Sequence, residues 1–223
     1  MQYKTNATQS HQDQERNSGR GPDGLFDMPT SRAAEQEGPA RGSSAARTYH
    51  EEQIQKAIVW FTSYLRSERE GYYAIGRPLD SGLRERMDGY FEAELLDRVR
   101  VLELRDRRVA NPWFYPIARE EGVRHLPDIT HKAAVTFLDV VVFNEKLTSR
   151  DLFHGLVHAA QVSALGLDVF VELFVRGFLR ARSYFLVPLK AQAFSLDAKF
   201  AANPSERFSV EEEIREWRRD RRY

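Results

Sequence analysis

The stretch Leu152-Phe153-His154-Gly155-Leu156-Val157-His158-Ala159-Ala160-Gln161 lies in the most apolar part of the chain and carries two histidines four positions apart. On a helix, positions i and i+4 lie on one face, so both imidazoles could reach a single point. Two imidazoles with this spacing are typical of a zinc-binding helix. The stretch therefore predicts a core helix with a candidate metal site at His154 and His158.

Capping residues set the expected limits of this histidine helix. Thr148-Ser149-Arg150-Asp151 is typical of an N-cap with an acidic residue three positions on, and Gly166 suits the other end, after about Leu165. Three further helices are expected downstream: from the cap Asp168 to about Arg182, from Leu189 to about Ala202 with Pro188 in the first turn, and from the cap Ser209 to about Arg219.

The chain before the histidine helix mixes helical and strand patterns. Helices are expected at about His50 to Arg69 and from a start at Asp80 to about Leu96, and strands at Arg98–Leu104 and Ala134–Phe143. A turn is expected at Gly76-Arg77-Pro78, and the prolines predict loops at Asn111–Pro116 and Leu126–Asp128. The predicted fold class is α+β and mostly helical, with a small sheet packed near the histidine helix.

Composition divides the chain into a tail and one domain. Residues 1–48 contain very few large apolar side chains and cannot bury enough surface to offset the entropy of ordering, so they are expected to be a disordered tail. Residues 49–223 are long enough for a single domain with a sizeable core.

Charge and cysteine content limit the functional classes. Lys plus Arg and Asp plus Glu are each 33, so no net positive field favours nucleic acid. The absence of cysteine rules out disulfides and thiolate metal sites and agrees with a reducing compartment. The apolar region Leu152–Leu179 is interrupted by Asp168, Glu172 and Arg176, which argues against a membrane span. With no signal-like apolar segment near Met1, a cytoplasmic location is expected.

The histidine stretch resembles the HExxH helix of the zincin metallopeptidases, and more narrowly small bacterial zincin-like proteins of the gluzincin type. The resemblance runs from about Arg98 to Phe200 and does not include the tail. In that family the two histidines bind zinc, the glutamate between them is the general base, and a glutamate on a later helix is the third ligand. The resemblance implies that His154 and His158 match the first two ligands, whereas Gly155 replaces the base.

The third ligand is replaced as well. Pro188-Leu189-Lys190 matches a segment in which the family is expected to carry Pro-Leu-Glu, so Lys190 stands at the position of the carboxylate. An ammonium about 4 Å from a dication costs about 8 kcal/mol at an effective dielectric near 20. The expected cofactor is therefore none or weakly bound zinc. We hypothesise that Lys190 fills or borders the metal position and hydrogen-bonds a neutral His154 or His158.

Gly155 has a cost of its own, because glycine inside a helix is about 1 kcal/mol less favourable than alanine. Either close packing or an open cleft at this position would explain the presence of glycine.

These features predict a catalytically degenerate zincin-like protein that binds a peptide or protein without cleaving it, with no catalytic residue assigned. One alternative is a metal-dependent hydrolase whose base comes from elsewhere, with His125, His131 and Glu145 as candidates. Another alternative is a structural interaction module.

Overall fold

The histidine helix is confirmed as the centre of the fold. In the computed structural model, which describes residues 49–181, 184–220 and 223, it spans Ser149–Leu165. The expected tail over residues 1–48 and the expected helix end at Arg182 lie outside the described residues. The Thr148 side chain accepts from the Asp151 N–H, and Gly166 ends the helix with a φ of 79°. Both caps act where the sequence predicts them.

The described residues form an α+β fold that is mostly helical. The helices are α1 (Glu51–Tyr73), α2 (Ser81–Met87), α3 (Ala93–Arg98), α4 (Tyr115–Glu120), α5 (Ser149–Leu165), α6 (Leu167–Ala181), α7 (Pro188–Ala202) and α8 (Val210–Arg219); the strands are β1 (Arg77–Pro78), β2 (Arg100–Glu103), β3 (Ala134–Phe137) and β4 (Val140–Phe143). Short 3-10 turns cover Ile129–His131 and Tyr184–Leu186.

The sheet has the strand order β1-β2-β4-β3. Strand β2 runs parallel to β4, and β3 is antiparallel to β4. The expectation of one strand over Ala134–Phe143 was wrong, because the chain turns at Leu138 and Asp139 to form a hairpin. Leu138 adopts a left-handed φ of 57°, a conformation that glycine usually supplies. The high β propensity of the segment therefore gave no indication of the turn.

Two other predicted elements needed correction. The single helix expected from Asp80 to Leu96 is two helices, α2 and α3, separated at Gly89, whose φ is 76°. The expected turn at Arg77-Pro78 also serves as the edge strand β1, paired with β2. The Asp80 side chain nevertheless accepts from the Leu83 N–H, so the predicted helix start is confirmed.

The loop expected at Asn111–Pro116 is wrong at its end, because Tyr115 and Pro116 begin α4. Pro116 lies in the first turn of that helix, where its missing N–H is tolerated. Asn144, directly after β4, is buried and hydrogen-bonds backbone groups of the segment between β2 and β3. The segment is thereby held against the sheet.

Helices α6 and α7 pack beside α5 and complete the surroundings of the histidines. Helix α6 begins at Leu167, so Asp168 lies in its first turn and is not its cap as expected. Pro188 begins α7 as predicted, and stacking of Phe153 on Phe200, with ring centroids 4.3 Å apart, joins α5 to α7.

Among the residues that the structure describes, no helix combines the length and apolar character needed to cross a membrane.

Candidate functional site

The two histidines of α5 lie together, as their spacing predicts. The ring centroids of His154 and His158 are 5.0 Å apart. His158 is buried and His154 is half-buried, so the pair points into the space between α5 and α7 and not into open solvent. Both candidate ligands therefore share one site.

Lys190 lies at this site. Helix α7 begins at Pro188, which places Lys190 in its first turn, and the Lys190 Nζ is 2.8 Å from the His158 Nε2. The hydrogen bond that we hypothesised between Lys190 and a neutral histidine is thus present, and its partner is His158.

A backbone carbonyl fixes the proton positions in this network. The Leu189 carbonyl can only accept, so the Gln161 Nε2 donates to it at 2.9 Å, and also to the Gln192 Oε1 at 2.8 Å. The Gln161 Oε1 then faces the His158 Nδ1 at 2.7 Å and accepts its proton. The His158 Nε2 is left as an acceptor, to which Lys190 donates.

The electrostatics of the site agree with neutral imidazoles. Burial, followed by the positive charge of Lys190, lowers the pKa of His154 to about 3. The same two causes hold the pKa of His158 well below its usual value. Burial also lowers the pKa of Lys190, to about 7. At neutral pH both histidines are therefore uncharged.

Gly155 packs directly against the sheet. A Cβ at this position would lie 2.6 Å from the Val141 Cγ1 and 3.2 Å from the Thr136 Oγ1. The Thr136 hydroxyl donates to the Gly155 carbonyl at 3.1 Å, which joins β3 to α5 at the same point. Of the two reasons considered for glycine here, close packing is the one that the structure supports.

Aromatic side chains connect the histidines to the surface. The ring of Phe194 lies 5.0 Å from His154 and 5.9 Å from Phe185, centroid to centroid. Phe185 is 58% exposed and the adjacent Leu186 is 67% exposed. An apolar surface segment therefore begins beside the histidine pair.

Sequence reasoning missed several members of this site. The position of Gln161, three residues after His158 on the same helix, was a usable signal. Lys132 and Tyr184 also lie at the site, with the Nζ atoms of Lys132 and Lys190 each 4.9 Å from the centroid of the Tyr184 ring. The sequence carries no comparable signal for these two residues or for Phe185, since they come from connecting segments whose course depends on the whole fold.

The other candidate bases have partners outside the α5 pair. His131 is 3.6 Å from Asp128, and Glu145 is 3.7 Å from Arg108. His125 is exposed. Among the described residues, His131 and Glu145 thus pair with Asp128 and Arg108 and not with a histidine of α5.

The side chains at the site do not fit a catalytic zinc ion as they are arranged. Such an ion needs three protein ligands and an open position, but the Nε2 lone pair of His158 is engaged by Lys190. Within the described ranges, no group of three or more His, Cys, Asp or Glu side chains is placed to hold a metal.

No protein family model, curated protein or solved structure matches this chain. The resemblance to zincins therefore rests on the histidine helix and the segment around Lys190.

Proposed function

We propose that this protein is a catalytically degenerate zincin-like protein that binds a peptide or protein segment without cleaving it. The observation that carries the proposal is the 2.8 Å hydrogen bond between the Lys190 Nζ and the His158 Nε2. It puts an amine at the atom through which the histidine would bind a metal.

The amine opposes metal binding in either protonation state. As an ammonium, Lys190 repels a dication at short range. As a neutral amine, it still donates to the His158 Nε2 and leaves that lone pair unavailable. Zinc could bind the His158 Nε2 only after Lys190 moved away from it, whereas the hydrogen bond from the His158 Nδ1 to Gln161 could remain.

A general base is also missing at the position where zincins carry it. The Cα–Cβ direction of Gly155 points at Val141, so even a methyl group there would require the Val141 side chain, the helix or the sheet to shift. A glutamate at this position would meet β4 before reaching the space between the histidines. The loss of the base is thus accommodated by packing.

A binding role is supported by the surface next to the site. Phe185 and Leu186 are large apolar side chains that remain mostly exposed, and Phe185 is in aromatic contact with Phe194 beside His154. Exposed apolar and aromatic side chains next to a polar cluster are typical of recognition surfaces. A bound segment would cover them without any reaction taking place.

Metal content and peptidase activity test the proposal together. We expect the purified protein to hold much less than one equivalent of zinc by elemental analysis and to cleave no generic peptide substrate. The variant Lys190→Glu should gain zinc, because it replaces the amine by a carboxylate ligand beside His158. It should remain inactive, since Gly155 supplies no base.

The matched control is Lys199→Glu, on the same helix but paired with Glu213 at the surface, which should gain no zinc. Stoichiometric zinc in the unmodified protein, together with chelator-sensitive cleavage, would show instead that the protein is a working metallohydrolase.

A further inference from the structure

Two lysines at the site lie against the same aromatic ring. The Nζ atoms of Lys132 and Lys190 are each 4.9 Å from the centroid of Tyr184, so they are separated by no more than twice that distance. Lys132 is also 5.0 Å from the ring of Phe185. Both lysines are half-buried.

Two other lysines that lie over aromatic rings are each paired with a carboxylate. Lys56 lies 4.8 Å from the ring of Trp60 and pairs with Glu121 at 2.6 Å. Lys199 lies 4.1 Å from the ring of Phe208 and pairs with Glu213 at 2.7 Å. Over the described part of the chain, neither Lys132 nor Lys190 forms an ion pair with a carboxylate.

Of the three positive groups near His154, one has a carboxylate partner among the described residues. The positive groups that lower the pKa of His154 are Lys190, Arg150 and Lys132, in that order. Arg150 is offset by the buried Asp197, at 2.9 Å. The two lysines therefore supply the uncompensated charge, and partly buried cations of this kind are stabilised by an anion that also accepts hydrogen bonds.

The apolar part of the surface lies beside these cations. Phe185 is in contact with Lys132, and Leu186 follows it, with both side chains mostly exposed. A ligand that contacts both parts of this surface would therefore carry an anionic group, such as a carboxylate, next to a large apolar group.

We propose that Lys132 and Lys190 bind a carboxylate of an acidic peptide whose neighbouring apolar side chain packs on Phe185 and Leu186. This inference rests on the proposed function and names the chemistry of its ligand. Charge complementarity selects the peptide, because Lys132 and protonated Lys190 have no carboxylate partner among the described residues, and a bound carboxylate would favour the protonated form of Lys190.

The test uses two peptides that differ only in charge, N-acetyl-Asp-Phe-amide and N-acetyl-Asn-Phe-amide. Each is titrated into the isotope-labelled full chain while the backbone amide signals of Lys132 and of Tyr184–Leu186 are followed. We expect saturable shifts with the acidic peptide and an affinity about fivefold or more lower for the amide peptide.

Variants assign the effect to the two lysines. Lys132→Gln and Lys190→Gln should each weaken the acidic peptide about fivefold or more, whereas Lys132→Arg should retain most of the affinity because it keeps the charge. Lys199→Gln, which removes a lysine that already has a carboxylate partner, should leave the affinity unchanged. Dispersed amide spectra of the variants show that they remain folded.

Equal affinity for the two peptides, shifts that do not saturate, or an acidic peptide that binds the glutamine variants as tightly would overturn the carboxylate site. The proposed function fails on a different result, namely stoichiometric zinc with chelator-sensitive cleavage, so the two failures are distinguishable.

Discussion

Gly155 sets the distance between the histidine helix and the sheet. The nearest atom to its missing Cβ would be the Val141 Cγ1, at 2.6 Å, and Val141 is fully buried in the centre of the sheet. Real Cβ atoms essentially never approach another atom that closely, so any larger residue requires the Val141 side chain, α5 or β4 to shift. A residue that local propensity disfavours in a helix is thus explained by a contact between distant segments.

Replacing this glycine tests the close approach. Gly155→Ala is expected to lower the free energy of unfolding by about 1–3 kcal/mol through overpacking, in spite of the better helix propensity of alanine. Val141→Ala alone should also destabilise, because it leaves a cavity. Since the second change makes room for the first, the double variant should lose less stability than the two single losses added together, as measured by urea unfolding.

The matched control is Gly71→Ala in α1, where a Cβ would meet nothing within 4 Å. It should stabilise the protein by up to about 1 kcal/mol. A neutral Gly155→Ala, or losses that simply add in the double variant, would contradict the packing account.

At the scale of elements, the sequence predicts what depends on neighbouring residues. Thr148 and Ser209 cap their helices as expected, because capping joins a side chain to a backbone N–H three residues away. The hairpin at Leu138 was missed, since a leucine in a left-handed conformation carries no local signal of a turn. The pairing of β2 with the 134–143 segment was predicted, but not the reversal within that segment.

In the candidate site, too, the residues predicted from the sequence are those that depend on local spacing. The histidines at positions 154 and 158 and the opposing Lys190 could be placed from helical spacing and from the resemblance. Tyr184 and Lys132 could not, because they reach the site from a short turn after α6 and from the loop before β3. Their positions depend on how α6, α7 and the sheet pack.

Asn144 joins that loop to the sheet. Its Oδ1 accepts from the Val109 N–H at 2.7 Å, and its Nδ2 donates to the carbonyls of Lys132 at 2.9 Å and Ile129 at 3.3 Å. One buried side chain therefore holds two parts of the 104–133 segment and fixes the backbone of Lys132.

Asn144→Asp is expected to destabilise the protein by about 2 kcal/mol or more, because the carboxylate keeps the acceptor but faces two carbonyls without a proton to donate. Thermal unfolding measures the loss, and amide hydrogen exchange should accelerate across residues 105–133. Asn203→Asp, at an exposed position where the Asn203 Nδ2 donates to the Glu206 side chain at 3.2 Å, should cost no more than about 1 kcal/mol. Unchanged protection in the segment would mean that other contacts hold it.

At the scale of the whole molecule, the buried site couples stability to pH. The folded protein keeps His154 neutral down to a pKa of about 3, and the pKa of His158 is also well below the usual 6.5. Between pH 6.5 and those values, the unfolded chain binds protons that the folded chain does not. Stability therefore rises with pH in this window and is lost on acidification.

Lys190 extends this dependence to the alkaline side. Its pKa of about 7 in the folded protein lies below the 10.5 of a free lysine, so between these values the unfolded chain again binds the extra proton. The cost of burying the amine is fully present below pH 7 and declines as the pH rises toward 10.5. In both pH ranges the stability of the protein rises with pH, and the two ranges meet near neutral pH.

Urea unfolding from pH 5 to pH 9 tests this coupling. We expect the free energy of unfolding to fall from pH 7 to pH 5 by up to about 1.4 kcal/mol per histidine per pH unit. This interval lies above the usual range of the carboxylates, whose contributions are lost at lower pH. His154→Gln should reduce the acid slope, and Lys190→Met should reduce the rise between pH 7 and pH 9. A stability that is constant or higher at pH 5 would mean that the histidines accept protons in the folded protein, and that the hydrogen bond from Lys190 to His158 does not hold them neutral.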